Sequence, residues 1–180
     1  MNKKCKACGI HFTPARPLQK VCSPSCAIKI AKEVVAKNDK KATKLKLEAL
    51  ITKPQLVKKA QTAFNAYIRA RDRGKICISC DTPLGDEPNT YDAGHYRSVG
   101  SAPHMRFVED NVHGQCKRCN NWLAGNHVEY RKRLLERIGE RQLELLEADS
   151  TLRKYAKEGL EEIAKHYRAE ARRLEKERLQ

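Results

Sequence analysis

Every cysteine in this chain has a near neighbour of its own kind. The eight fall as Cys5-x2-Cys8 with Cys22-x3-Cys26, and as Cys77-x2-Cys80 with Cys116-x2-Cys119. A pair at such spacing supplies half of a tetrahedral site, so each quartet offers four thiolates to one Zn²⁺. Disulfides are the competing use. They are disfavoured because the opening Met1-Asn2-Lys3-Lys4-Cys5 has no apolar segment of a secretory signal, and reducing compartments keep thiols free. A four-thiolate site leaves no open position for substrate. Two structural zinc ions, neither of them catalytic, are therefore expected.

Thirty-five residues separate Cys80 from Cys116, more than a plain zinc ribbon needs. The insert carries Asp92-Ala93-Gly94-His95-Tyr96, then Arg106-Phe107, then Asn111-Val112-His113; Asn120 and Asn121 directly follow the last cysteine. Phosphodiester hydrolysis beside one hard cation needs a base that is neutral near pH 7, a group that holds its imidazole, and oxygen ligands for Mg²⁺. A strand carrying His95, a second strand carrying Asn111 and a helix start carrying Asn120 fit those three places in order. Each has a blander use: a packed histidine, a turn asparagine, a helix cap. Arg97, Arg106, Lys117 and Arg118 flank the set and suit phosphate as well as they suit a solvated surface. Trp122 suits a core beside the zinc, or an exposed base.

The elements that must position these groups read as mainly helical, with small zinc-bound β pieces. Residues 1–27 form a knuckle with a turn at Gly9 and only Phe12 and Val21 for a core, so it should not fold without metal. Residues 28–52 are a basic helical arm, the helix itself read over 27–50, with Lys29, Lys32, Lys37, Lys40, Lys41 and Lys44 along it. A helix over 53–73 opens on a Thr52/Gln55 capping box with Pro54 in its first turn. It buries Leu56, Ala60, Ala63 and Tyr67, ends on Arg69, Arg71 and Arg73, and stops at Gly74. Residues 53–126 thus form a zinc-stabilised core with its preceding helix. Residues 127–180 are helical again, broken at Gly139, with Asp149 as the N-cap of a last helix. Its stripe Leu152, Ala156, Leu160, Ile163, Tyr167, Ala171, Leu174 has an 11-residue period. The stripe needs a partner, either the rest of the chain or a second copy in a homodimer.

Charge narrows the partners. Lysine and arginine number 37 against 22 acidic residues, a net of +15. Residues 1–60 alone carry 15 basic and 3 acidic groups. A polyanion is the natural counterpart of that block, bound with strong salt dependence. No apolar run approaches the roughly 20 residues that span a bilayer, so no membrane partner is expected.

The pattern Cys-x2-Cys, His, Asn, Cys-x2-Cys-Asn resembles the HNH or ββα-metal nucleases, in the zinc-bound variety of phage junction-resolving endonucleases. More closely, the chain is similar to the NinG (Rap) family of lambdoid phages. That likeness runs through Cys77-Ile-Ser-Cys80, Asp92-Ala-Gly-His-Tyr96, Met105-Arg-Phe107, Asn111-Val-His-Gly-Gln-Cys116-Lys-Arg-Cys119-Asn120, Gly125-Asn126 and Tyr130-Arg131. The Cys5-Lys-Ala-Cys8 and Cys22-Ser-Pro-Ser-Cys26 knuckle and Tyr67-Ile-Arg-Ala-Arg-Asp72 match too, so the likeness spans nearly the whole chain. It implies a treble-clef, HNH-like core and a recombination protein that binds and cuts branched DNA, such as Holliday junctions and D-loops. By the same likeness it works in the cytoplasm of the bacterial host, with phage or host recombination proteins as partners. His95 is then the general base, Asn111 orients its imidazole, and Asn120 ligates Mg²⁺ or Mn²⁺. The family's nuclease relatives place a metal ligand directly before the base. Gly94 stands there instead, and Asp92, two residues earlier, is the expected second ligand. A non-catalytic, zinc-containing branched-DNA-binding accessory is the competing function. An RNA-bound zinc protein fits less well, because the chain is poor in aromatics for stacking.

Overall fold

The computed structural model describes residues 2–86 and 89–180. They form two compact units, Met1–Ile51 and Thr52–Gln180.

In the first unit, two short antiparallel strands, β1 (Lys3–Lys4) and β2 (His11–Phe12), pair Lys3 with Phe12 and Lys4 with His11. Gly9 makes the turn between them at φ 76° and donates its N–H to Cys5 O at 2.9 Å. The helix α1 then runs Pro24–Ala49, three residues earlier than expected, because Ser23 caps it and accepts from Cys26 N. Pro24 sits in its first turn, where the missing N–H costs nothing. No residue of α1 is buried, and Val34, Val35, Leu45 and Leu47 stay at least half exposed.

The second unit is built on α2 (Lys53–Asp72) and α5 (Lys157–Arg178), which pack along each other. Gln55 accepts the Thr52 N–H at 2.8 Å, closing the start of α2. Leu56, Ala60, Ala63, Phe64 and Ile68 are its buried face, and Leu160, Ala164 and Ala171 answer from α5. Phe64 meets Tyr167 edge to face at 4.7 Å. The apolar stripe of α5 therefore finds its partner within the chain. That helix begins seven residues later than Asp149 predicts, with Ala156 at its N-cap. Asp149 is drawn off, its carbonyl accepting from His104 Nε2 and from Arg97. Tyr155 docks on the same loop through His104 O and the Phe107 ring. Leu152 is left 91% exposed.

Against α2 packs the antiparallel hairpin β3 (Tyr91–His95) and β4 (Val112–Cys116), in register from Tyr91↔Cys116 to His95↔Val112. A π-helical turn, Arg118–Trp122, leads to α3 (His127–Ile138) and, across Gly139 at φ 79°, to α4 (Glu140–Ala148). A core of Ile78, Met105, Tyr130, Leu134, Leu143 and Leu146 joins α3 and α4 to the loop over the hairpin.

Candidate metal centres and cleft

Among the described residues, the cysteines form two clusters, each with its four Sγ atoms within 4.8 Å of one another. The closest separations are 3.6 Å for Cys8–Cys22 and Cys22–Cys26, and 3.7 Å for Cys80–Cys116. Four sulfurs about 2.3 Å from a central Zn²⁺ lie about 3.8 Å apart, so both clusters could hold a structural zinc. None of the eight is in a disulfide. Backbone N–H groups already point at the sulfurs: Cys22 N at Cys5 Sγ, Ser79 N and Cys116 N at Cys77 Sγ, Cys119 N at Cys116 Sγ. Such donors stabilise thiolate charge.

The second cluster sits at the Tyr91/Cys116 end of the hairpin. Cys116 closes β4 and Cys119 lies in the π-helical turn, while Cys77 and Cys80 come from the loop after α2. The turn brings Asn120 and Asn121 to Asp92, whose Oδ2 accepts from Asn120 Nδ2 at 3.1 Å and from Asn121 Nδ2 at 3.2 Å. Gly94 answers to packing: a Cβ there would lie 2.2 Å from Gln115 Oε1 and 2.8 Å from Gln115 Cβ. That is the physical reason why no side chain precedes His95.

His95, at the end of β3, is half-buried and donates Nε2–H to Arg106 O at 3.2 Å. A carbonyl can only accept, so the neutral ring keeps its lone pair on Nδ1. Burial, with help from the Arg106 charge, holds its pKa below the usual value, against the pull of the Arg106 and Ala93 backbone. The imidazole is thus neutral at pH 7.

Asn111 is fully buried, and its amide bonds to backbone, not to the imidazole. Oδ1 accepts from Arg97 N at 2.8 Å, and Nδ2 donates to Arg97 O and Met105 O. It clamps both ends of the loop whose next residue, Arg106, holds His95.

These parts surround a cleft of about 440 Å³ lined by His95, Asn120, Arg106, His127 and, from α2, Gln61 and Asn65. Arg106 reaches Gln61 Oε1 at 3.1 Å, and Gln61 donates to Asn65 at 2.7 Å. Sequence motifs single out neither Gln61 nor Asn65, and mark His127 only weakly. Gln61 and Asn65 form an i, i+4 amide pair beside the apolar stripe of α2, a signal open to a closer reading. His127 had no such signal, nor did Asn121 beyond adjacency.

The other expected phosphate contacts separate into three groups. Lys29, Lys32, Lys37, Lys40, Lys41 and Lys44 are all exposed on α1, and Lys117 and Arg118 are exposed on the turn. Arg69 and Arg73 line a different hollow beside Tyr91, with Arg73 facing Glu175 at 3.9 Å. Arg71 and Arg97 spend their donors inside the protein. Arg71 binds Asp72, Val112 O and His113 Nδ1. Arg97 reaches the Leu146, Glu147 and Asp149 carbonyls, capping the C-terminus of α4. Trp122, which suits a core beside the zinc or an exposed base, is 85% exposed.

The model of the family described as bacteriophage lambda NinG protein matches residues 1–177. Three similar proteins, each named protein ninG, come from Salmonella phage P22, Escherichia phage lambda and Escherichia phage 933W. They are 38%, 37% and 36% identical, over 96%, 98% and 98% of this chain and 94%, 95% and 96% of theirs. No solved structure matches the chain. Among the described residues, no helix is long and apolar enough to cross a membrane.

Proposed function

The chain belongs to the NinG family, and from that premise we propose that it is a metal-dependent DNA endonuclease of phage recombination, binding and cutting branched DNA in the host cytoplasm. The observation that carries this reading is the cleft: a neutral His95 with a fixed Nε2–H shares one hollow with Asn120, which is bonded to Asp92. A packed histidine would not need a solvent-facing hollow beside such a set.

His95 Nδ1 takes the proton from water as its oxygen attacks phosphorus. Arg106 O holds the opposite edge of the ring and steadies the imidazolium that forms. Asn111 keeps that carbonyl in place by clamping the loop. Asp92, with the Asn120 amide turned to present Oδ1, offers the hard oxygen donors that Mg²⁺ or Mn²⁺ takes, few enough to leave room for phosphate oxygens. When bound, that cation supplies positive charge to the developing phosphorane and the leaving 3′-oxygen. The P–O3′ bond breaks, the 3′-oxygen takes a proton from solvent, and the products are 5′-phosphate and 3′-hydroxyl ends. Arg106 stands in the cleft for the phosphate, and the α1 lysines extend the grip along DNA.

The test is cleavage of a labelled Holliday junction and its matched linear duplex by zinc-loaded protein, with Mg²⁺, with Mn²⁺ and with neither. Wild type should cut the junction only with added metal, and His95→Ala should bind it without cutting. Tight junction binding with no cutting by either protein would instead make this a non-catalytic accessory.

A further inference from the structure

Trp122 is the only tryptophan of the chain. It is 85% exposed, and its neighbour Leu123 is 46% exposed. An indole left in water forgoes the burial that such a side chain ordinarily gains. The exposure is not looseness. Gly125 N bonds Cys119 O at 2.9 Å, Asn126 N bonds Leu123 O at 2.8 Å, and Gly125 O accepts from the buried Gln115 at 2.6 Å. Asn126 also donates to Ser79 O. Ala124, Gly125 and Asn126 follow one another at φ 48°, 89° and 44°, a left-handed run that strains its two non-glycine members. The backbone thus holds an apolar tip in solvent.

Chemistry on either side of that tip indicates its occupant. Lys117 and Arg118 are exposed on the same turn, so the tip sits in positive charge. Asn120, Ala124 and Gly125, which bracket Trp122 in sequence, line the cleft that holds His95. The tip and the cleft wall are therefore parts of one turn.

We propose that Trp122, backed by Leu123, is a wedge that stacks on an unpaired or unstacked base at a DNA branch, and so sets the preference for branched over linear DNA; this rests on the nuclease reading. In a linear duplex each interior base is already stacked on both faces, and exposing one must break those contacts. At a branch a base has lost a neighbour, and the indole replaces it. Stacking accepts every base, so the wedge selects structure without selecting sequence. Lys117 and Arg118 meet the flanking phosphates.

The single tryptophan is its own probe. Full-length, zinc-loaded protein is titrated, without added Mg²⁺, with a four-way junction and with the matched linear duplex. Trp122 emission should be quenched by the junction and little changed by the duplex at equal occupancy. Trp122→Ala should lose about tenfold or more of junction preference while its duplex affinity holds, and Trp122→Phe should keep most of it. Unchanged emission on a junction that wild type binds, and cuts once Mg²⁺ is added, would overturn the wedge and leave the nuclease reading standing. Failure of wild type to bind the junction at all would take both down. A blue shift with rising protein concentration and no DNA would assign the tip to a protein contact, and would also overturn the wedge.

Discussion

The same four-thiolate arrangement occurs twice in this chain in opposite surroundings. In the first unit only Cys5 is buried, Cys8 is exposed, and the 26-residue α1 beyond it buries nothing. In the second unit Cys77, Cys116 and Cys119 are buried among Leu84 and Tyr91, within a unit that has a further apolar core of its own. A metal site in the first unit takes the place of a core. A metal site in the second adds to one, and its use is local: it sets where the turn after β4 goes, and with it Asn120, Asn121 and one wall of the cleft. Identical ligand sets thus serve as foundation in one place and as alignment in the other.

The largest expected effect breaks the two sites one at a time. Binding of structural zinc is worth about 10–16 kcal/mol in small modules, as much as the whole stability of a domain. Cys8→Ser should leave residues 1–23 without fixed structure while α2, α5 and the hairpin stay folded, with near-UV circular dichroism and junction cleavage at saturating DNA little changed. Cys119→Ser should cost cleavage about a hundredfold or more by freeing the turn that carries Asn120. Zinc content should fall from two to one per chain in both. Equal damage from both changes would end the distinction.

Next in size is the cost of trimming an apolar helix residue. Leu160 is fully buried between α5 and α2, and Leu160→Ala should destabilise the second unit by about 2–5 kcal/mol in urea unfolding. Val34→Ala, in an α1 that buries nothing, should shift stability by no more than about 0.5 kcal/mol. A large loss at Val34 would mean that α1 has an apolar partner after all.

How much of this was legible beforehand follows the range of the interactions. Cysteine spacing gave the halves of the two four-cysteine clusters, and the Thr52/Gln55 box gave the start of α2, because each of those signals lies within a few residues. Local motifs singled out His95 and Asn120, and the fold lines one cleft with both. No motif showed the contacts that steady His95: Asn111 works through Arg97, Met105 and the Arg106 carbonyl, which are set by the folded loop. Arg71 and Arg97 look like phosphate ligands in sequence, yet the fold takes their donors for Asp72 and for the end of α4. Asp149 looked like a cap and became an acceptor for His104 and Arg97. Residues with several donors or acceptors are claimed by whichever neighbour tertiary packing supplies, and sequence does not show that neighbour.

The buried charges of the second unit have no counterpart among the described residues of the first, and they make its stability depend on pH. His113 is buried, its Nδ1 accepting from Arg71 at 2.9 Å and facing Arg137 at 3.2 Å. Burial first, then the Arg71 charge, pushes its pKa down to about 3. The unfolded imidazole titrates near 6.5, so between about pH 6.5 and 3 the unfolded chain holds a proton that the folded one lacks. Stability therefore falls as pH falls through that window, by up to about 1.4 kcal/mol per pH unit. His95, also held low by burial, adds with the same sign. Asp72 acts at lower pH. Burial would raise its carboxyl, but Arg71, the Gly114 N–H and Lys75 outweigh that and hold it well below the usual range. Its contribution is present above about pH 4 and is lost below that. In excess zinc, the urea midpoint of wild type should drop between pH 7.0 and 5.5. His113→Asn should start lower and drop less. An equal drop in both would take His113 out of the account.

The smallest effect on folding is the one that tests what the first unit is for. Its lysines are exposed, and residues 1–51 carry 12 basic against 3 acidic groups, so removing charge there relieves repulsion and costs the fold little. Binding should respond differently. Each lysine that meets a phosphate adds about 0.9 to the slope of log affinity against log salt. Replacing Lys37, Lys40, Lys41 and Lys44 by glutamine should therefore flatten that slope by up to about 3.6. The thermal midpoint and the cleavage rate at saturating DNA should stay where they were. A flattened slope with unchanged turnover separates the two units by work as well as by structure: one holds DNA through charge, the other cuts it through geometry. An unchanged slope would leave α1 as a solvated helix, and the polyanion grip would then belong to Lys117, Arg118 and Arg106 around the cleft.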